Sequence, residues 1–354
     1  MTGATKPKHF LRALITALLL IIVFIAGLEY YWRSHGYQLS YNDDKMLWAD
    51  ERRKAYEPAD KSTVFIGSSR IKWDIDIETW EKLTGEKAVQ LAIVGSSPRK
   101  ILLDLADDEK FAGKLVVDIA EALVFPTGDT IRTERLVREA LEYYYNETPA
   151  QRASTLLGLA LESKFVFLEE GKFGLDILLR EQNQKFNRKG VMAAPIPFRT
   201  DYTFTTARRQ NKFSPIFLDH PELIKAHVDR WVARMMQTRK GMYVPKGESL
   251  DSLCLVYKTA FDKIRARGGN VICVRLPSNG PHLENEMKLF PRQQYWEHFL
   301  QYTNTKGIHY ADYPATAGMI CTEASHLNPG DAIKYTTSLV NTLRTEYGWR
   351  FPHQ

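Results

Sequence analysis

Two short stretches of this chain hold residues whose types and spacing could make or break an acyl bond. The first is Gly67-Ser68-Ser69-Arg70, which follows the β-branched run Ser62-Thr-Val-Phe-Ile66. A serine at a strand-to-helix turn is exposed, and the helix start beside it offers unpaired N–H groups to a developing oxyanion. The second is Glu323-Ala-Ser-His326-Leu-Asn-Pro-Gly330, where a carboxylate lies three residues before a histidine. Within one turn that carboxylate can orient the imidazole so that its far nitrogen faces a serine and takes its proton. Gly95-Ser96-Ser97 is a third polar turn of the same kind, and Arg70 and Arg275 are cations that could hold an anionic substrate or form surface ion pairs. Each stretch alone has a plainer reading: a polar turn with a helix cap, a tight turn after a strand, or a network at a helix start with Ser325 or Asn328 as cap. Asp312 and Asp331 are alternative carboxylates for His326. What favours catalysis is that all three stretches fall at strand ends.

Those strand ends follow from the hydrophobic pattern. Short apolar, β-branched runs closed by turn residues predict strands at Ser62 to Ile66, Ala88 to Val94, Leu115 to Ile119, Val271 to Leu276 and Ile308 to Ala311. Helical spacing predicts helices through Trp80, at Pro98 to Asp107, Ser249 to Arg267, Pro291 to Thr303 and Pro329 to Tyr347. Strands alternating with helices imply a parallel sheet covered on both faces, an α/β fold of three layers. In such sheets ligands bind beyond the carboxyl ends of the strands, where the three polar stretches lie. Between Thr127 and Gly247 the alternation stops. Only helical patterns are legible there, at Ile131 to Tyr145, Gln151 to Leu168 and Pro221 to Met236, around a polar segment from Gln182 to Asn211, so residues 127–247 read as a helical insertion. Trp73, Tyr295 and Trp296 are candidate sugar platforms, although aromatic residues so spaced usually pack in a core.

The 354 residues include 48 Lys and Arg against 42 Asp and Glu, with 44% apolar residues. That is enough for a full core, and it excludes disorder, collagen and a multispanning membrane protein. The net charge of +6 is spread along the chain rather than gathered in runs, which argues against a nucleic-acid partner. Cys254, Cys273 and Cys321 lack C-x-x-C spacing and read as small buried hydrophobes, and no zinc-ligand spacing occurs. Phe10 to Leu28 is an apolar run with one charge, Arg12, near its end, long enough to span a bilayer. Lys6, Lys8 and Arg12 before it, and Tyr30, Tyr31 and Trp32 after it, place the amino terminus in the cytoplasm and the rest outside. A cleavable secretory signal needs small residues at its cleavage site, but Phe24 and Ile25 fit poorly before Ala26 and Gly27. The expected organisation is a cytoplasmic tail (1–9), an anchor (10–28), a stalk that docks on the domain (29–61), one α/β domain (62–347) and a short tail (348–354).

At the residues named first, the chain resembles the SGNH, or GDSL-like, hydrolase superfamily. Phe65-Ile-Gly-Ser-Ser-Arg70 is similar to its first block, with Ser68 in the place of the aspartate and Ser69 as nucleophile. Val89-Gln-Leu-Ala-Ile-Val-Gly95 is similar to the second, whose glycine supplies an oxyanion N–H. Glu323-x-x-His326 is similar to the last, usually Asp-x-x-His. The Gly-Ser-Ser form and the anchor resemble envelope members that add or remove acyl groups on polysaccharides. The resemblance implies Ser69, His326 and Glu323 as triad, the N–H groups of Ser69 and Gly95 as oxyanion hole, and no cofactor or metal. It further implies an acylated polysaccharide or small acyl ester as substrate, envelope biosynthesis proteins as partners, and a periplasmic domain on the inner membrane. Two departures stand out. The block after the third strand should read Gly-x-Asn-Asp, yet Val117-Asp-Ile-Ala-Glu-Ala122 has no asparagine, and Glu323 replaces an aspartate. The reading from another class is a noncatalytic glycan-binding scaffold of an envelope polysaccharide assembly.

Overall fold

A computed structural model describes residues 7–56, 62–126, 131–179, 202–239 and 242–353 of the chain. Among these residues there are seven strands: β1 (Ser62–Ile66), β2 (Lys87–Gln90), β3 (Lys114–Asp118), β4 (Thr203–Thr205), β5 (Asn211–Phe213), β6 (Asn270–Arg275) and β7 (Lys306–His309). Five of them form one sheet in the order β2-β1-β3-β6-β7, every pair parallel. Every residue of β1 and β3 is buried, as parallel strands covered on both faces require. Alternation along each strand then sorts the side chains. Val64, Ile66, Val89, Leu115, Val117 and Cys273 face one layer, and Phe65, Ala88, Val116, Ile272 and Val274 the other.

The helices supply those layers. In chain order they begin with α1 (Pro7–Ser34), α2 (Lys45–Arg53), α3 (Ser69–Asp74), α4 (Ile77–Thr84), α5 (Arg99–Asp107) and α6 (Glu121–Val124). The insertion brings α7 (Ile131–Asn146), α8 (Pro149–Glu162), α9 (Glu170–Phe173) and α10 (Pro221–Arg239). After it come α11 (Glu248–Ala266), α12 (Gly280–Leu289), α13 (His298–Thr303) and α14 (Pro329–Thr345). Trp48 of α2, Leu102 of α5, Val137 of α7, Phe261 of α11 and Phe299 of α13 pack on the first face. Ile71 of α3, Trp80 of α4, and Tyr335, Leu339 and Leu343 of α14 pack on the second. The result is the expected three-layer α/β arrangement.

Several expectations need correction. The insertion does contain strands: β4 and β5 pair antiparallel, Thr205 opposite Asn211, within the segment read as polar loop. Three residues are too few for a period-2 pattern to register; the part of that segment from 182 to 201 lies outside the described residues. Helix α12 lies where no element was expected; its Pro281 sits in the first turn, where proline removes only an N–H that has no partner there. The predicted helix from Pro291 begins as a wide turn at Gln293–Glu297 before α13. The stalk packs against the domain, in keeping with the docking expected of it. Asp44 caps α2 by accepting the N–H groups of Met46 and Leu47, Trp48 Nε1 donates to Leu91 O at 2.9 Å, and buried Arg52 pairs with Asp104 and Asp108.

Strand order decides where function can sit. From β1 the chain moves to one side for β2 and then to the other for β3, so the loops after β1 and β3 diverge to opposite faces. The crevice left between their carboxyl ends is the topological switch point, where open parallel sheets bind ligands. Gly67, Ser68 and Ser69 follow β1, and Asp118 ends β3.

Candidate active site

The turn after β1 is shaped by Asp118. Gly67 has φ +155°, and a Cβ built there would come within 2.5 Å of the Asp118 Cβ, so only glycine fits. Ser68 follows as the N-cap of α3, but its hydroxyl does not cap the helix. It donates instead to Asp118 Oδ2 at 3.1 Å, with the Ser68 N–H pointing to the same oxygen at 3.4 Å. Burial pushes the Asp118 carboxyl up to about 6, against the opposing pull of Arg70 and the Ser68 donors. With Ser68 occupied below the surface, Ser69 is the partly exposed serine, at the first position of α3. Its N–H and that of Gly95, in a turn with φ +70°, have no partner among the described residues.

Helix α3 also carries the link to the histidine. Residues four apart share a helix face, so Trp73 lies one turn above Ser69 on the same side. The Trp73 indole stacks on the His326 ring with centroids 4.6 Å apart and an interplanar angle of 26°. His326 Nδ1 is hydrogen-bonded to Glu323 Oε1, and its Nε2 is buried without a partner among the described residues. The Glu323 side chain is 2% exposed and that of His326 13%. The backbone is fixed as firmly. Thr322 N–H donates to His326 O at 2.8 Å, Asn279 N–H to Ala324 O at 3.0 Å, and Leu327 N–H to Asp74 Oδ1 at 2.9 Å. Ala324 takes φ +75°, an uncommon conformation for a residue with a Cβ, which brings Glu323 and His326 round to the same side. An imidazole with one nitrogen on a carboxylate, a ring clamped by an indole and the other nitrogen free is arranged to accept a proton.

Beneath this pair lies a buried ionic network. Glu286 of α12 bonds Arg70 at 2.6 Å through one oxygen and Arg275 at 2.8 Å through the other. Arg275 also binds Glu121 at 2.7 Å, Ser278 at 3.1 Å and the Leu276 carbonyl, and Arg70 contacts His282 and Ser325. Burial alone would raise the Glu286 carboxyl, but Arg70, His282 and Arg275 hold it well below the usual range. Both arginines are nearly inaccessible, at 3% and 2% exposure. Neither is the surface cation or ready substrate clamp expected from sequence; Arg275 has every nitrogen engaged internally. Charged residues at the ends of buried strands are buried with them, and survive by pairing. Asp74 sits in the same region. Its burial raises it well above the usual carboxylate range, Leu327 N–H and Arg70 opposing, Asp118 and Glu323 adding to the rise.

The insertion walls the site. Phe213 of β5 lies 6.3 Å from Trp73 and 6.5 Å from His326, and stacks on Phe217. His227 of α10 packs edge-on against Tyr202 and Phe217, and Trp231, one turn on, packs on His282. Burial lowers the His227 pKa, with Glu323 opposing and His326 adding. A cavity of about 620 Å³ lies elsewhere, at the amino edge of the sheet between Lys114, Asn270 and Phe351, away from these groups.

The structure therefore gathers Ser69, Trp73, Glu323 and His326 at the switch point, with Gly95 on the adjacent loop after β2. Asp312 is tied to Arg292 at 2.6 Å and Asp331 to Lys334 at 2.8 Å, so neither orients His326. Tyr295 and Trp296 are core residues, Tyr295 donating to Pro245 O at 3.0 Å, and Trp73 is buried as well, its ring stacked on His326, so none of the three presents an open face to a sugar. All three cysteines are buried, and burial raises each thiol pKa. The described residues contain no cluster of His, Cys, Asp or Glu suited to a metal ion. Asp118, Asp74 and Glu286 are the site residues that sequence reasoning missed. The legible signal for Asp118 was a carboxylate closing an otherwise apolar buried strand; the other two left none. No protein-family model matches the chain, and no curated protein does.

Proposed function

We propose that the protein is a serine enzyme of SGNH type acting on esters, held at a membrane by α1, with its domain on the extracytoplasmic side. The observation that carries the reading is the Glu323–His326 pair, clamped by Trp73 one turn from Ser69, with Nε2 left unpartnered. In this mechanism Ser69 Oγ attacks the ester carbonyl while its proton passes to His326 Nε2, and Glu323 stabilises the imidazolium that forms. The tetrahedral oxyanion is held by the N–H groups of Ser69 and Gly95. Collapse expels the alcohol, which takes the proton back from His326 and leaves an acyl group on Ser69. Water or a sugar hydroxyl then attacks that acyl-enzyme with His326 as base. Among the described residues Ser69 Oγ makes no hydrogen bond to His326, a contact that in serine enzymes often tightens only when substrate is bound.

The resemblance in sequence supports acyl groups of a cell-envelope polysaccharide, acetyl foremost, as substrate. Basic residues before α1 and aromatic residues after it support an inner-membrane anchor with the amino terminus inside. Covalent labelling of the full chain by a fluorophosphonate tests the reading. Label should attach to Ser69, vanish in Ser69→Ala and persist, more slowly, in Ser68→Ala; the reverse ranking refutes the assignment. A second reading, a glycan-binding scaffold that does no chemistry, is favoured by the absence of any side-chain amide in Asp118-Ile-Ala-Glu121. It requires a Ser69 that never labels and glycan binding unchanged in Ser69→Ala.

A further inference from the structure

Helix α1 is the one described helix long and apolar enough to cross a bilayer, and its apolar side chains are exposed along its length. No charged residue occurs from Ala13 to Leu28, so Glu29 marks the height at which the span leaves the hydrocarbon. That residue is bonded to the body of the protein. The Glu29 carboxylate accepts the N–H of Val166 at 2.9 Å and 3.1 Å, Arg33 donates to Lys164 O at 3.1 Å, and Trp32 packs on Phe173 at 4.6 Å. The corner joining α8 to α9 is therefore held at the level of the headgroups. Three of the most exposed leucines of the insertion lie on the last two turns of α8, which ends four residues before Val166. Leu156, Leu157 and Leu161 are 50%, 64% and 45% exposed, and the spacing i, i+1, i+5 joins them in one face. Just beyond the corner Leu175 and Leu179 are 72% and 55% exposed.

We infer that this leucine face is an interfacial foot that lies in the lipid headgroup region beside α1. The occupant is lipid because the corner from which the face runs is bonded to α1 at the level where the span leaves the hydrocarbon. A face of this composition in water would leave several leucines solvated, whereas partial burial among acyl chains stabilises each by an amount that scales with apolar area. Because α1 is bonded to the corner rather than linked to it by a flexible tether, the foot and the span fix the height and tilt of the domain together. The hairpin and α10, which wall the candidate active site, belong to the same insertion, and Gly36 just after α1 lies against Ile216 beside Phe217. The foot thus holds the carboxyl edge of the sheet, and with it Ser69, on the membrane side of the domain.

The inference rests on α1 being inserted, and the test separates the two. The full chain is reconstituted in vesicles of phosphatidylethanolamine and phosphatidylglycerol, with an environment-sensitive fluorophore attached singly at Leu157→Cys, Leu161→Cys, Leu19→Cys or Lys306→Cys. The native cysteines are buried, and the unsubstituted chain measures their background. Leu19 lies within the span, and Lys306 is exposed at the amino edge of the sheet. The Leu157 and Leu161 labels should emit at shorter wavelength than the Lys306 label. They should lose most of their emission to a lipid carrying a nitroxide near its headgroup and little to iodide in the water. Quenching of the Leu157 label by iodide, with the Leu19 label lipid-exposed, overturns the foot while leaving the anchor. Shielding of Leu157 from both quenchers means that protein covers the face, a second copy foremost, and overturns it too. A Leu19 label in water removes the anchor, and the foot with it.

Discussion

Replacing Glu323 with glutamine gives the sharpest test of the proposed chemistry, because it keeps the volume and removes one charge. The magnitude follows from burial. With the carboxylate 2% exposed and the imidazole 13% exposed, the pair is shielded from bulk water, so surface screening does little to it. Opposite charges at contact distance under an effective dielectric of about 20 attract by about 4 kcal/mol, which is about 10³ in rate once the imidazolium forms in the transition state. A glutamine whose amide nitrogen turned towards Nδ1 would also donate where the ring must donate, leaving the proton on Nε2. The analogous tautomer error in a serine protease costs about 10⁴. The turnover number on a small chromogenic acetyl ester should therefore fall about 10³ to 10⁴-fold, with KM little changed, since no ground-state contact is lost. Stability should move the other way. Asp74 is raised partly by the Glu323 charge, so the glutamine relieves a repulsion, and the melting temperature should hold or rise. Turnover within tenfold of the wild type would remove Glu323 from the triad. So would a collapse of activity accompanied by a large loss of stability, since that describes a core defect.

Further outcomes follow from the buried groups around this pair. Asp118 carries a proton more readily in the fold, at about 6, than at its ordinary 3.8, so the native state favours the acid form. Its contribution is present below the ordinary value and is lost as pH rises through about 6, a two-unit difference worth about 3 kcal/mol. Relative to the wild type, Asp118→Asn should gain stability by up to that amount between about pH 4 and pH 7 in chemical denaturation; a gap that stays flat refutes the assignment. Glu286→Ala leaves Arg70 and Arg275 short of their shared carboxylate and should cost about 3 to 5 kcal/mol, read as a fall in denaturation midpoint. Gly67→Ala forces a Cβ onto Asp118 in a strained conformation, and should cost about 3 kcal/mol or prevent folding; full stability and labelling would contradict the packing described.

The sheet was legible because β1, β3 and β6 are compact apolar runs. Strands β2 (Lys87–Gln90) and β7 (Lys306–His309) each carry only one or two apolar residues between polar ones, and their expected bounds, Ala88 to Val94 and Ile308 to Ala311, ran past the strand ends. Glu323 and His326 were legible too, since their contact is made within one turn. Residues such as Arg70, Arg275 and Glu286 resisted because a charge written in sequence looks the same whether it ends in solvent or in a core. Arg70 meets Glu286 across 216 residues, and nothing local marks either. Placement was the usable clue, as both arginines follow strands that are buried to their ends. The hairpin failed on length, and the role of the insertion failed on orientation. The pattern that predicted a helix from Pro221 says which residues are helical, not that His227 packs on Phe217 or Trp231 on His282.

Besides the two departures named above, Ser68 stands in the aspartate's place, and in space it belongs with the departure in the β3 loop. Asp118 ends the strand after which Gly-x-Asn-Asp is expected, and the Ser68 and Asp118 side chains are bonded to each other at 3.1 Å. Compared with the resemblance, the carboxylate beside this turn comes from the neighbouring strand and not from the first loop, and the serine supplies the donor. The exchange has a steric consequence, because a carboxylate at Asp118 fills the space in which any side chain at position 67 would stand. Its chemical consequence falls elsewhere. On the proposed mechanism the position of the Ser69 hydroxyl depends on that turn, whereas the oxyanion would find no side-chain amide between Asp118 and Glu121 and would rest on backbone N–H groups. One such donor is worth about 3 to 4 kcal/mol where removed by mutation. If the proposed mechanism holds, the cost of the exchange therefore falls on stabilising the tetrahedral intermediate, and not on forming the attacking pair of Ser69 and His326.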